Sequence, residues 1–206
     1  MMFALVESGS ITKMLNGNRG IQIGDLKYPR AIYTLWTEAE RNAIGIYTVE
    51  YDDSNKKSEL WYINTNQSFA FADNKVTASY GSATAKAHAD TKWTQEEIDD
   101  DEAPEGADTN TVKEEGLKTV LIRQVKAQAE GKLNTTDWYI TRKAEKNTAI
   151  PSAITTHRDA VRSKQAAMET AITNASDTPA LETLYTYTRQ EDGSVTRPLG
   201  ELPTLN

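Results

Sequence analysis

The sequence predicts an α+β protein: a small antiparallel β-sheet module with one short helix, an acidic linker, a helical hairpin and an extended tail. Three observations lead to this prediction. Short apolar runs separated by Gly and Asn turns fill residues 1–82. Carboxylates dominate residues 83–111. Two stretches with apolar residues at helical spacing fill residues 112–176, and a strand with a proline-containing tail fills residues 177–206.

Composition limits the classes of function. The 206 residues suffice for one good-sized domain or two small ones. The net charge of −7 argues against a nucleic-acid partner, because phosphate binding needs a basic surface. The absence of cysteine excludes disulfides and thiolate metal sites. No apolar run approaches the roughly 20 residues that span a bilayer, and the amino terminus lacks the features of a secretory signal. We therefore expect no membrane partner and a cytoplasmic location.

Local signals define the first module. Residues 3–6 and 11–15 predict a β-hairpin with a Gly-containing turn. Thr37 followed by Glu40 is a capping-box pattern, so a short helix is predicted to start at Thr37. Gly45 is placed to end that helix, because glycine adopts the left-handed conformation easily. Further strands are predicted at residues 46–51, 59–64, 67–72 and 76–80.

The acidic stretch that follows is predicted to separate two parts of the chain. Thr94 with Glu97 offers a second capping box, but residues 99–102 are four consecutive carboxylates, and Pro104 and Gly106 follow soon after. These carboxylates do not fit the spacing of a calcium-binding loop. Like-charge runs stay extended and hydrated, so a solvated linker is expected.

The helical hairpin is the central prediction. The first helix is expected to begin near Val112 and to run toward Leu133, and the second to start at Pro151–Ser152 and continue through Ile172. The apolar seam of the second helix comprises Ile154, Val161, Met168 and Ile172. Its expected partner stripe on the first helix comprises Leu117, Val120, Leu121, Val125 and Ala129. Charged residues left for solvent or for a partner are Arg158, Arg162, Lys164 and Glu169.

A tight segment around Asp137, Trp138 and Arg142 is expected between the helices. Asp137 is predicted to cap the turn that begins at Trp138, and Arg142 to pair with Asp137 or Glu145. Alternatively, Trp138 and Arg142 form a partner-binding hot spot, as these residue types often do. The packing alternative predicts that Trp138→Ala lowers the melting temperature, and the hot-spot alternative that melting is unchanged while binding is lost. The candidate partner-binding residues are Trp138, Arg142, Arg158, Val161, Arg162 and Met168.

The remaining segments carry no catalytic signal. Residues 184–189 predict a strand, and Pro198 and Pro203 exclude a helix after it, so the tail either docks on a neighbouring surface or is mobile. His88 and His157 lie in different segments without metal-ligand spacing, and His157 is expected to be partly exposed. We predict no catalytic residue, cofactor or metal site.

The hairpin region resembles a known family. The residues that carry the resemblance are Leu133, Thr136, Asp137, Trp138, Arg142, Ala144, Glu145, Ala149, Pro151, Ser152, Arg158, Val161 and Arg162. Their order and spacing are similar to the C-terminal region of tail fibre assembly proteins and tail assembly chaperones of tailed bacteriophages. A shorter pattern resembles amino-terminal modules of phage tail-fibre-associated proteins, on Trp36, Thr37, Glu40, Gly45, Ile46, Tyr47 and Val49.

This resemblance implies a non-enzymatic protein that binds a phage tail fibre or another tail protein, with self-association as a further expectation. It would act in the host cytoplasm as an assembly factor that assists folding or trimerisation of the fibre. Alternatively, it would stay in the virion tail as a structural adaptor between tail or baseplate and fibre proteins. An enzyme acting on host polysaccharide is the third alternative, and it would need a deep cleft lined by carboxylates.

Overall fold

The first strand, β1 (Phe3–Glu7), is buried on both faces within the unit Met1–Thr84. Phe3 and Leu5 belong to one hydrophobic cluster, and Ala4 and Val6 to a second. Successive side chains of a strand point to opposite faces, which explains this division. The two clusters together form the core of the unit.

The computed structural model describes residues 1–205. The other elements of the first unit are β2 (Ser10–Leu15), β3 (Ile21–Ile23), β4 (Leu26–Tyr28), α1 (Ile32–Leu35), α2 (Glu38–Ala43), β5 (Ile46–Asp52), β6 (Tyr62–Ile63), β7 (Ser68–Ala72) and β8 (Lys75–Ser79). Five strands form one sheet in the order β2-β1-β5-β8-β7. Strands β5 and β8 are parallel and the other neighbours are antiparallel. The prediction of an antiparallel sheet is therefore wrong at this pair. The chain turns at residues 73–74 to form the β7–β8 hairpin, and the second strand of that hairpin, β8, pairs with β5.

The capping signals of the first unit are confirmed. The Thr37 hydroxyl accepts a hydrogen bond from the Glu40 backbone N–H, and the Glu40 carboxylate accepts one from the Thr37 N–H at 2.7 Å. Gly45 has a φ of +81°, and a Cβ atom there would lie 2.6 Å from the carbonyl oxygen of Val6. Only glycine fits this position without a shift of the backbone. The short helix α1 just before α2 was not predicted.

A second unit begins at Ala85. Strand β9 (Thr84–Ala85) lies at the boundary; the elements after it are β10 (Thr91–Lys92), α3 (Gln95–Asp99), β11 (Val112–Glu114), α4 (Leu117–Asn134), α5 (Asp137–Lys146), α6 (Ser152–Asn174), α7 (Thr178–Tyr185), β12 (Thr188–Arg189) and β13 (Val195–Thr196). Helices dominate this unit and strands the first, so the predicted α+β class is confirmed. Helix α6 starts at the predicted place.

Three predicted boundaries in the second unit are wrong. Val112 lies in β11, which pairs with β10, so the first long helix starts five residues later than predicted. The segment Asp137–Lys146 is a helix of ten residues and not a tight turn. Residues 178–185 form α7, because the Asp177 carboxylate accepts a hydrogen bond from the Ala180 N–H at 2.8 Å and starts a helix. Of the strand predicted at 184–189, only Thr188–Arg189 is a strand.

Of the predicted linker, residues 83–111, all but the first two residues are part of the second unit. Asp90 accepts hydrogen bonds from the Gly116 backbone N–H at 2.7 Å and from the Thr119 hydroxyl at 2.9 Å. It thereby caps the start of α4, and these bonds, the one from Thr119 first, hold the pKa of its carboxyl below the usual range. A Cβ atom at Gly116 would lie 2.3 Å from the Ala89 carbonyl carbon, so this close approach requires glycine.

The second predicted capping box forms at α3 and makes a pH-dependent contact. The Lys113 ammonium and the Thr94 backbone N–H both bind the Glu97 carboxylate and lower its pKa from 4.5 to about 2. Because the folded-state pKa is the lower one, this carboxylate stabilises the folded state above pH 4.5, and the contribution is lost as the pH falls through about 2.

We expect an NMR titration of the Glu97 side chain to give a midpoint near 2. The variant Lys113→Met should shift that midpoint upward, because it removes the strongest cause of the depression. Lys92→Met serves as the control, because Lys92 is exposed and no ion pair to it is found among residues 1–205. A midpoint near 4.5 in the unaltered protein would contradict this assignment.

Candidate partner-binding surface

Helices α4 and α6 pack antiparallel and form the predicted hairpin. Near the start of α4 the Lys118 ammonium donates to the Thr173 carbonyl at 2.8 Å, and at its other end the Leu133 carbonyl meets Arg158. All four residues of the α6 seam are buried, as are three of the five on α4, namely Leu121, Val125 and Ala129. Leu117 and Val120 are half-buried. The seam is therefore core, as its periodicity predicts.

Two of the candidate partner-binding residues belong to this core. Val161 is 0% exposed and Met168 is 1% exposed. A partner of the folded protein cannot touch either side chain, so their assignment to a partner-binding surface is wrong. Their positions on the seam are the physical reason, since α4 covers the face that they occupy.

Arg158 lies on α6 and contacts both the end of α4 and the start of α5. Its Nη1 atom donates to the Leu133 carbonyl at 2.8 Å and to the Thr136 hydroxyl at 2.7 Å, and lies 2.7 Å from Asp137 Oδ1. The Thr136 hydroxyl in turn donates to the Leu133 carbonyl at 2.9 Å. Arg158 and Thr136 are buried, and both the Arg158 Nη1 atom and the Thr136 hydroxyl have hydrogen-bond partners. We call these four residues the Arg158 network.

The Arg158 network contradicts the prediction that Arg158 faces solvent or a partner. The sequence did carry a signal for its position. Arg158 lies four residues after Ile154 and three before Val161, which places it on the buried face of α6. Its charge made a solvated position the simpler expectation, because arginine is rarely buried without a partner.

Helix α5 presents aromatic and arginine side chains that stack on each other. The Trp138 and Tyr139 ring centroids are 3.9 Å apart, and the Arg142 guanidinium carbon lies 4.7 Å from the first and 5.2 Å from the second. Arg142 therefore forms a cation–π contact and not the predicted ion pair. Asp137 pairs with Arg158 instead, and it is the first residue of α5 and not its cap.

The stacked residues remain accessible. Trp138 is 52% exposed, and α5 has no buried residue at all. Tyr139 and Arg142 are half-buried. Trp, Tyr and Arg are the types most enriched at binding hot spots. We call Trp138, Tyr139 and Arg142 the aromatic–arginine face. Arg162, on α6, is also exposed, and its ion pair is a 3.5 Å contact with Asp159.

No family model, curated protein or solved structure matches this chain. Among residues 1–205, no three His, Asp or Glu side chains lie close enough together to hold a metal ion. In the same range no helix has both the length and the apolar character that a bilayer crossing requires. On α5 the structure shows two stacked rings, of which Trp138 is exposed, with the half-buried Arg142 guanidinium beside them.

The C-terminal tail is docked within the second unit. Leu199 and Leu202 are buried, and the Leu199 N–H donates to the Leu184 carbonyl at 3.0 Å. This favours the docked alternative over the mobile one.

A cleft of about 610 Å³ is lined by residues of α4, by tail residues and by His157. His157 is 8% exposed, so the expectation of a partly exposed histidine is wrong.

Proposed function

We propose that this chain is a non-enzymatic protein that binds a tail fibre or another tail component of a tailed bacteriophage and assists its assembly in the host cytoplasm. The observation that carries the proposal is the Arg158 network. Four of the residues on which the family resemblance rests, Leu133, Thr136, Asp137 and Arg158, meet there although up to 25 positions separate them. Their spacing in the sequence therefore serves one local structure.

That local structure supports the aromatic–arginine face. Asp137 and Thr136 fix the start of α5 against α6, and Asn147, with a φ of +54°, ends the helix. Two further residues of the resemblance, Trp138 and Arg142, are thereby held on a short helix that buries none of its own residues. A rigid, exposed Trp with a stacked Arg is the kind of anchor that fills a pocket on a partner protein.

Trp138→Ala is the first test of this face. Because Trp138 is half exposed, we expect the free energy of unfolding to fall by only about 1–2 kcal/mol, from the loss of an exposed cation–π contact and of the ring contact with Tyr139. Binding to the fibre protein should fall by roughly 2 kcal/mol or more, as for a hot-spot residue. Co-expression with the fibre protein of the same phage and a pull-down through a tag on this chain measures the binding.

Tyr187→Ala is a matched control. Tyr187 is 54% exposed, and its ring centroid lies 5.2 Å from the Arg197 guanidinium carbon. Like Trp138→Ala, this substitution therefore removes an exposed ring that is stacked on an arginine. Retained fibre binding with Tyr187→Ala and lost binding with Trp138→Ala would support the proposal. Equal retention by both variants would contradict the assignment of the face, and no co-purification of the unaltered chain would contradict the function.

The structural adaptor is the second candidate function. The division into two units supports it, since each unit has a core of its own and an adaptor needs two binding parts. In that role the β-sheet unit would hold one tail or fibre protein and the hairpin another. Mass spectrometry of purified particles separates the two functions. Stoichiometric presence of the chain supports the adaptor in the virion tail, and absence supports the assembly factor.

A further inference from the structure

The cations of α5 lie on one side of the helix. At about 100° per residue, Trp138, Arg142, Lys146, Tyr139 and Lys143 fall within an arc of about 140°. This arc holds all three cations of the helix and both of its aromatic rings. Asp137 falls on the opposite side of the helix, and Glu145 falls about 20° outside the arc, next to Trp138. The aromatic–arginine face thus extends into a surface of charge +3, on a chain whose net charge is −7.

These cations have no acidic partner of their own. Among residues 1–205, no carboxylate forms an ion pair with Arg142, Lys143 or Lys146, and both lysines are exposed. The Arg142 Nε atom is buried beside the rings and has no hydrogen-bond partner in the described part of the chain. Of the two acidic residues of α5, Asp137 is held by Arg158, and Glu145 forms no ion pair with any of the three cations in the described part of the chain. The surface is therefore complementary to negative charge from another molecule.

Two classes of anionic partner fit the surface less well. A helix that lies on a membrane places its cations on one side and its aromatic residues on the other. Here both share the same arc, and the guanidinium of Arg142 covers the rings. Nucleic acid is opposed by the charge of the whole chain, because phosphate binding needs an extended basic surface. An acidic protein segment needs only a local cluster of cations beside an apolar contact.

We propose that this face of α5 binds an acidic segment of the partner protein, with carboxylates against Arg142, Lys143 and Lys146 and an apolar side chain against Trp138. The proposal rests on the function proposed above and names the chemistry that the fibre or tail protein presents. Binding through exposed charges is weakened by salt, because the Debye length shortens from about 10 Å at 0.1 M to about 3 Å at 1 M. The complex should therefore be salt-sensitive.

Fluorescein-labelled poly-L-glutamate is the probe, and fluorescence anisotropy measures its binding to the full chain at low and at high salt. The double variant Lys143→Gln/Lys146→Gln should weaken binding roughly tenfold, because each exposed ion pair that is lost lowers the affinity by about threefold and the two losses multiply. The control is Lys13→Gln/Lys27→Gln, which removes two exposed lysines of the first unit that have no ion pair among residues 1–205. The control should bind as the unaltered chain does.

The proposal is overturned by no binding of poly-L-glutamate, by equal loss in both double variants, or by preferred binding to single-stranded oligo-dT or to phosphatidylserine vesicles. The fibre pull-down separates this result from the function. If the fibre protein still binds the Lys143→Gln/Lys146→Gln variant at high salt, the proposal of an acidic segment is wrong, and the proposed function is retained. If poly-L-glutamate binds as expected but no fibre protein does, the proposed anion-binding surface on α5 is retained, and the proposed function is wrong.

Discussion

Replacing Arg158 by methionine is expected to lower the free energy of unfolding of the second unit by about 2–3 kcal/mol. The substitution keeps most of the aliphatic volume but leaves the buried Thr136 hydroxyl and the Leu133 carbonyl without their charged donor. Hydrogen bonds to charged groups contribute about 1.5–3 kcal/mol each, and the remaining bond from the Thr136 hydroxyl to the Leu133 carbonyl limits the loss. Asp137 loses its ion pair with Arg158, but its side chain is half exposed, so water can hydrate the carboxylate in place of the arginine. Urea unfolding followed by far-UV circular dichroism measures the change.

Arg162→Met is the matched control for Arg158→Met. Both arginines lie on α6, one turn apart, but the Arg162 side chain is 52% exposed and that of Arg158 is 9% exposed. The single long ion pair of Arg162 contributes little, so we expect a change within about 0.5 kcal/mol. Equal effects of the two substitutions would show that the Arg158 network does not hold α5 in solution.

Met168→Ala should have the largest effect on stability, a loss of about 2–5 kcal/mol. Met168 is 1% exposed in the seam between α4 and α6, and a truncation there removes buried apolar surface and leaves a cavity. The same urea experiment measures it, with the helical signal as the observable. Because α4 and α6 are the longest helices, their separation removes much of that signal.

Thr170→Ala, on the exposed side of the same helix, is the comparison for Met168→Ala. Thr170 is exposed and donates to the Ala166 carbonyl, so its loss should change the free energy of unfolding by no more than about 0.5 kcal/mol. A Met168→Ala protein as stable as Thr170→Ala would contradict the packing of the hairpin.

Elements that depend on nearby residues could be predicted from the sequence. The α2 and α3 starts need only a Thr and a Glu three positions apart, and both capping boxes form. The seam of α6 needs only helical periodicity, and its four residues are buried. Trp138 and Arg142 could be singled out by residue type, and they do stack on each other. Each of these signals lies within one or a few helical turns.

Contacts between distant residues could not be predicted in this way. Asp90 accepts hydrogen bonds at the start of α4 from Gly116 and Thr119, 26 and 29 positions later, whereas the acidic run near it predicts a linker. Arg158 finds its acceptors 22 and 25 positions earlier. The parallel pairing of β5 with β8 likewise depends on where the intervening chain runs. One sequence contains no direct information about such partners, so charge and spacing suggested solvent or a linker instead.

The cap that Asp90 places on α4 affects how the hairpin can be isolated. Besides Asp90, the carbonyls of Ala87 and His88 accept hydrogen bonds from the N–H groups of Leu117 and Lys118, both at 3.0 Å. A recombinant fragment that starts at residue 112 would lack all three acceptors, and the first turn of its long helix would fray. The shortest fragment that contains the whole second unit with these three acceptors therefore begins at residue 85.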